Sequence, residues 1–214
     1  MNVAERLAQS QRRVVRDGAS LDVTNLPSYG FGHRSILWWA TAGMMAIEGT
    51  VFALAIVMYF YLRSHSDTWP MNALPPQLRF GNLNTIILLA SMAPNEWAKR
   101  AAQKEDLRGV RVALALCMLF ALAFLVVRAF EFTALNCRWD DSAYASIVWM
   151  LMGLHTSHLI TDTYDSAVLT VMTFTETMDG KRFVDVSESA VYWYFVMLSW
   201  LPIYAVVYWA PRSS

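Results

Sequence analysis

Four side chains able to hold or pass a proton crowd into one stretch of the chain: His155, His158, Asp162 and Asp165. Their offsets of 0, 3, 7 and 10, taken at 100° per residue, place them on one helical stripe about 80° wide. Such a stripe can form a hydrogen-bonding seam between helices, relay protons, or lend two ligands to a metal completed from elsewhere. The seam is the favoured reading, with the aspartates, a turn or two beyond the histidines, forming an acidic rim or a proton-collecting site. Metal binding is the weakest reading: His158 and Asp162 stand one turn apart, but two or more further ligands would have to come from other helices. Haem ligation fails on geometry: two histidines at (i, i+3) cannot take opposite faces of a porphyrin, and no other apolar segment contains a histidine.

Two further positions carry charge where the surroundings are apolar. Glu48 stands alone between Ile36 and Leu62, where a bare carboxylate is costly. It is expected either to accept protons or to sit neutral and hydrogen-bonded in a bundle, on a face shared with Thr41, Met44, Met45, Phe52, Ala55 and Tyr59. Ala42, Ala46, Gly49 and Ala53 form a second face of small residues suited to close helix packing. Arg128 and Glu131, at (i, i+3), are expected to neutralise each other, the alternative being that Arg128 meets a lipid phosphate or a partner's carboxylate. Glycine-rich phosphate loops, a nucleophile elbow and paired Cys-x-x-Cys ligands are all missing from the sequence, and Cys117 and Cys137 have no evident role. Nothing in these residues points to stand-alone catalysis.

The elements that must position these groups are long and apolar. Of the 214 residues, 56% are hydrophobic and 16% charged, with nine tryptophans and twelve methionines, and the mean hydropathy is +0.33. Those numbers exclude an ordinary soluble domain and indicate a polytopic membrane protein. Ile36–Leu62 is roughly 40 Å of helix, enough to cross a bilayer. Further spans are expected at Val112–Leu135, at Ala143–Phe174, longer than a bilayer core needs, and at Ala190–Trp209, with a kink at Pro202. Leu83–Gln103 is weaker, interrupted by Pro94, Asn95 and Glu96, yet the charges on either side of it require a crossing.

With five spans, twelve Lys and Arg fall in the segments on the N-terminal side of the membrane and four on the other, which places the N-terminus inside and the C-terminus outside. Residues 1–34 read as an inner arm and residues 35–210 as the membrane domain, an all-α bundle of five transmembrane helices. Lys plus Arg equal Asp plus Glu at 17 each, which excludes nucleic acid as a partner.

Several stretches together resemble subunit III of the haem–copper respiratory oxidases. Gly43-Met44-Met45 with Ile47-Glu48 and Phe52 resembles the family helix that carries a buried glutamate. Leu83-Asn84-Thr85 with Leu88-Leu89-Ala90-Ser91 is similar to its Leu-Asn-Thr helix, and Arg128-Ala129-Phe130-Glu131-Phe132 to the ending of the next. Gly153-Leu154-His155-Thr156-Ser157-His158 resembles its Gly-x-His-Gly-x-His signature. Glu188 with Tyr192-Trp193-Tyr194-Phe195-Val196 and Trp200 resembles its terminal helix. The chain departs from the pattern at Thr156, where Gly is usual, at Tyr194, where His is usual, and at Met197, where Asp is usual; it also resembles the five-span form rather than the seven-span one.

The resemblance implies a subunit without redox cofactors of its own that packs on catalytic subunit I, where haem and copper reside. It further implies phospholipid binding, stabilisation of the complex and support of proton uptake, with Glu188, Trp193, Tyr194 and Trp200 packing the terminal helix. The expected setting is a bacterial cytoplasmic membrane in preference to the mitochondrial inner membrane. Two alternatives stand beside it: a subunit-III-like component of a nitric-oxide reductase system, and a small ion-coupled transporter using Glu48 and the His/Asp stripe.

Overall fold

The computed structural model describes residues 29–213 except 72 and 176–179. Five long helices follow one another: α1 (Ile36–Ser64), α2 (Leu78–Gln103), α3 (Leu107–Thr133), α4 (Ala143–Thr175) and α5 (Gly180–Tyr204). Most of the inner arm, including Arg6, Arg12, Arg13 and Arg16, lies outside the described residues.

Short connections make successive helices antiparallel. The α2–α3 turn is three residues closed by Glu105 in the left-handed region at φ 55°. Ser35 and Ser142 cap α1 and α4, their hydroxyls accepting from Leu37 N at 3.1 Å and Ala145 N at 3.2 Å. At the opposite end from the α2–α3 turn, three loops are tied together: Gln77 N donates to Ala134 O at 3.3 Å, Asn136 to Pro75 O at 3.2 Å, and Arg212 to Pro76 O. Tyr29 and Arg212 therefore sit at opposite ends of the bundle. Helix α5 runs on through Pro202 into a π turn (Ala205–Trp209) and a 3-10 turn (Ala210–Arg212). Proline supplies no N–H to the helix ladder, and the wider turn follows it by three residues.

Helices α2 and α3 form the most extensive pair, α5 lies against α1, α2 and α4, and α1 packs mainly on α4 and α5. Helix α1 is consequently the most outlying, with 17% of its apolar window buried against 50% for α5. Only Phe52, Ala55 and Tyr59 of α1 are fully buried, whereas Met44, Ala46 and Ala53 are exposed. Of the small-residue face, Ala46 and Ala53 are exposed while Ala42 and Gly49 are half-buried, Gly49 against the Phe195 ring.

Three helices among the described residues are long and apolar enough to cross a membrane, α1, α3 and the α5 unit Gly180–Arg212. Helix α2 begins at Leu78 rather than Leu83 and continues unbroken through Pro94, so the polar interruption does not end it. The reason lies in its polar side chains, which bond to α5. Trp200 Nε1 donates to Thr85 Oγ1 at 2.8 Å, Trp193 Nε1 to Ser91 Oγ at 2.8 Å, Asn95 to Ala190 O at 2.9 Å and Tyr194 OH to Glu96 at 2.6 Å. Tyr204 OH donates to Asn82 one step further along. Residues that weaken the hydropathy of α2 are those that zip it to α5, satisfying polar groups inside the bundle instead of exposing them.

Candidate functional site

The stripe on α4 divides between two environments. His155 is fully buried in a network that joins α2, α3, α4 and α5. Arg128 Nη1 lies 2.9 Å from Glu131 Oε2, and both side chains are 1% exposed. Glu131 also accepts from Asn84 on α2 and from Tyr208 in the π turn. The Arg128 guanidinium sits 4.2 Å from the Trp200 ring centroid and 4.8 Å from that of Phe124, so aromatic faces cover the charge that Glu131 leaves unpaired. Its Nη2 lies 3.4 Å from His155 Nδ1, while His155 Nε2 lies 3.1 Å from Val196 O. A carbonyl only accepts, so Nε2 carries the proton and Nδ1 accepts from Arg128: the surroundings select the neutral Nε2–H tautomer. Because Arg128 is enclosed, it does not reach a lipid phosphate or a partner's carboxylate; of the two expectations, only mutual pairing fits the geometry.

Asp162 and Asp165 face a groove of about 590 Å³ between α1, α4 and α5, and His158 stands behind Glu48 on its wall. Five carboxylic side chains line it: Glu48 from α1, Asp162 and Asp165 from α4, and Asp185 and Glu188 from α5. Its apolar wall comes from Leu37, Met44, Val168, Leu169 and Met172. Glu48 accepts from Tyr192 OH at 2.8 Å and lies 3.5 Å from His158 Nε2. His158 Nδ1 is held 2.6 Å from Leu154 O and must donate there, so its Nε2 meets Glu48 favourably when a proton rests on either of the two. Asp162 is 3% exposed, and neither its Oδ2 nor Oε2 of Glu188, equally buried, accepts a hydrogen bond from the described residues.

Asp162 and Asp165 therefore part company. Of the pair expected to form an acidic rim or a proton-collecting site, Asp165 is exposed, whereas Asp162 is enclosed where α4 packs on its neighbours. Glu48, near the middle of α1 as expected, is half-buried on the groove wall and hydrogen-bonded to Tyr192. Trp193 and Trp200 are buried and Tyr194 half-buried on the α2–α5 seam, whereas Glu188, on the same helix, turns to the groove. Sequence reasoning missed Asp185 and Tyr192. Their spacing with Glu188, at i, i+3 and i+7, was a legible signal that one face of α5 is polar. Asn84 and Tyr208 were missed as partners of Glu131 because their contacts span 47 and 77 residues.

The histidines do not fit a haem: both ring nitrogens of His155 are engaged within the chain, and His158 is directed at Glu48. Among the described residues, no three His, Cys, Asp or Glu side chains converge as metal ligands.

Comparison with known proteins agrees with the order of these elements. The family model for cytochrome c oxidase subunit III matches residues 43–211. Cytochrome c oxidase subunit 3 of Oryctolagus cuniculus is 28% identical over 174 residues, covering 78% of this chain and 67% of the relative. That of Triticum aestivum is 32% identical over 174 residues, covering 78% and 66%. That of Pylaiella littoralis is 32% identical over 131 residues, covering 59% and 47%, so the chain spans about half to two thirds of the length of these relatives. With the match running through the glutamate helix, the His155–His158 signature and the aromatic terminal helix, the chain belongs to the cytochrome c oxidase subunit III family.

Proposed function

We propose that the chain is the non-redox accessory subunit of a proton-pumping haem–copper terminal oxidase, most simply a cytochrome c oxidase, in a bacterial cytoplasmic or mitochondrial inner membrane. The family match over residues 43–211 carries this reading. In it the five helices all cross the membrane, the N-terminus lies inside, and the chain packs on catalytic subunit I, which holds the haem and copper. Its own residues supply no redox chemistry; they supply surface, charge and proton-exchanging side chains.

Two features of the structure support the finer roles. Support of proton uptake rests on the groove, where Asp165 is exposed and leads inward to Asp162, Glu48 and His158. Carboxylates at such a surface bind protons from water and release them to a neighbouring entrance. Phospholipid binding rests on the adjoining mouth, where Arg34 and Lys181 stand beside Leu37 and Ile36, cations next to an apolar wall. The network about Arg128 and Glu131 holds the helices that form these surfaces.

The test is to purify the oxidase from cells with and without this chain. Haem content of the partner subunit should be equal in the two, and turnover of the depleted enzyme should fall most at high pH, where protons are scarce. Restoring the chain with Asp165→Asn should leave part of that alkaline deficit. An oxidase whose haem content, stability and pH–activity profile are all indifferent to the chain would refute the accessory role.

A further inference from the structure

The groove carries an imbalance that the proton-uptake reading does not use. Five carboxylic side chains line it, and the cation that shares it, Arg182, is already 3.5 Å from Asp185. Asp162 is 3% exposed, its Oδ2 has no hydrogen-bond donor among the described residues, and it lies within electrostatic reach of both Glu48 and Asp165. A buried acceptor of this kind is costly unless something donates to it. Glu188, on the facing helix, repeats the situation with its own Oε2. These two buried, donorless oxygens are an observation separate from the clustering of acids, and both ask for the same chemistry: a positively charged N–H donor.

The shape narrows the class. A bare divalent ion needs several oxygens converging at about 2–2.6 Å, and no such group exists among the described residues. About 590 Å³ is far more than one ion occupies, and Leu37, Met44, Val168, Leu169 and Met172 line the space beside the acids. A ligand that satisfies both walls has a compact cationic head and an aliphatic tail.

We propose that this groove is a binding site for an alkylammonium group, its N–H donors directed to Asp162 and Glu48 and its hydrocarbon lying along α4 and the start of α1. An ammonium brings up to three donors, suiting carboxylates that line the groove without converging. The alkyl chain replaces water over the apolar wall. Such a group is a free amphiphilic amine entering head first from the end of the bundle where α1 begins; a membrane lipid keeps its headgroup outside its acyl chains and does not match this order. The site rests on the groove geometry and stands whether or not the chain supports proton uptake.

The experiment uses the full chain in an uncharged detergent, with thermal unfolding followed by tryptophan fluorescence. Hexylammonium at about five times its Kd should raise the Tm by about 3 °C, while hexanol and hexanoate should not. Asp162→Asn should abolish the response and raise the Tm without ligand, because the donorless carboxylate is gone. Should Asp162→Asn fail to fold, Asp165→Asn, at an exposed position, should still weaken hexylammonium binding severalfold. Suppression of the response by added phosphatidylethanolamine or phosphatidylglycerol would mean that the groove takes a lipid rather than a free amine, and would overturn the proposal. No response to hexylammonium, a response equal in Asp162→Asn, or an Asp162-dependent response to magnesium or sodium in its place would each overturn the proposal.

Discussion

Glu131 accepts from Asn84 and Tyr208 while pairing with Arg128, so α2, α3 and the C-terminal π turn converge on one carboxylate. Removing half of a buried pair leaves the other charge uncompensated, which is far worse than removing both. Glu131→Gln should therefore cost about 3–5 kcal/mol, whereas Arg128→Met with Glu131→Gln, which removes both charges and keeps an acceptor for Asn84 and Tyr208, should recover most of that loss; thermal unfolding in neutral detergent compares the three. Glu48 presents the opposite case. It is half-buried, and its main task in the resting chain is to accept from Tyr192. Glu48→Gln keeps an acceptor and should change stability by less than about 1 kcal/mol, while Glu48→Leu strands the tyrosine hydroxyl and should cost about 1–3 kcal/mol. Equal losses for the two variants would show that charge on Glu48, rather than the hydrogen bond, holds α1 to α5.

At the scale of elements, α2 and α5 meet through their polar residues, and the contact has a fixed depth. A Cβ built on Gly81 would lie 2.5–2.9 Å from the Tyr208 ring. Gly81→Ala should push Tyr208 away from Glu131 and cost about 1–3 kcal/mol through overpacking. Its check is a double cycle with Tyr208→Phe, in which the two losses should be strongly non-additive because they break the same contact. The α3–α4 loop makes a prediction in pH. Hydrogen bonding from Arg138, 3.2 Å away, holds the Asp140 carboxyl below its ordinary range. A folded value below the unfolded one contributes fully above the ordinary carboxylate range and is lost as pH falls through the depressed value. Amide NMR shifts across Arg138–Asp141 should thus titrate below the usual aspartate midpoint, and Arg138→Ala should bring that midpoint back up.

For the whole molecule, alternation of five antiparallel helices puts the α2–α3 turn and the α3–α4 loop at opposite ends. Lys99, Arg100, Lys104, Arg108 and Arg111 cluster at the first of these ends and Arg138 stands at the other, an asymmetry from which the positive-inside rule predicts that the first end lies inside. Cysteines placed at Lys104 and Asp140, in a Cys117→Ala, Cys137→Ala background, should label with an impermeant maleimide from opposite faces of sealed vesicles, Lys104 from the inside. Labelling of both from one face would mean that α3 does not cross, and with it the five-span arrangement would fall.

Apolar length and the charges between segments were enough to place five helices in order, because the exclusion of backbone polar groups from hydrocarbon leaves a long apolar chain little else to form. Local spacing was also enough to pair Arg128 with Glu131, since neighbours at (i, i+3) meet on any helix. Burial could not be read this way. The His155–Asp165 stripe has one angular position on α4, but which of its members face a network and which a groove depends on where α1, α3 and α5 lie, and those contacts join residues far apart in the chain. Asp162 looked like part of an acidic rim and is enclosed; Pro94 and Asn95 looked like a break in α2 and are absorbed because Asn95 finds Ala190 O, 95 residues away. Sequence alone determines what a helix must satisfy, through the donors and acceptors along it. Only tertiary structure decides which partner satisfies it, because a hydrogen bond or ion pair requires positions within about 3–4 Å and periodicity along one helix says nothing about the distance to another.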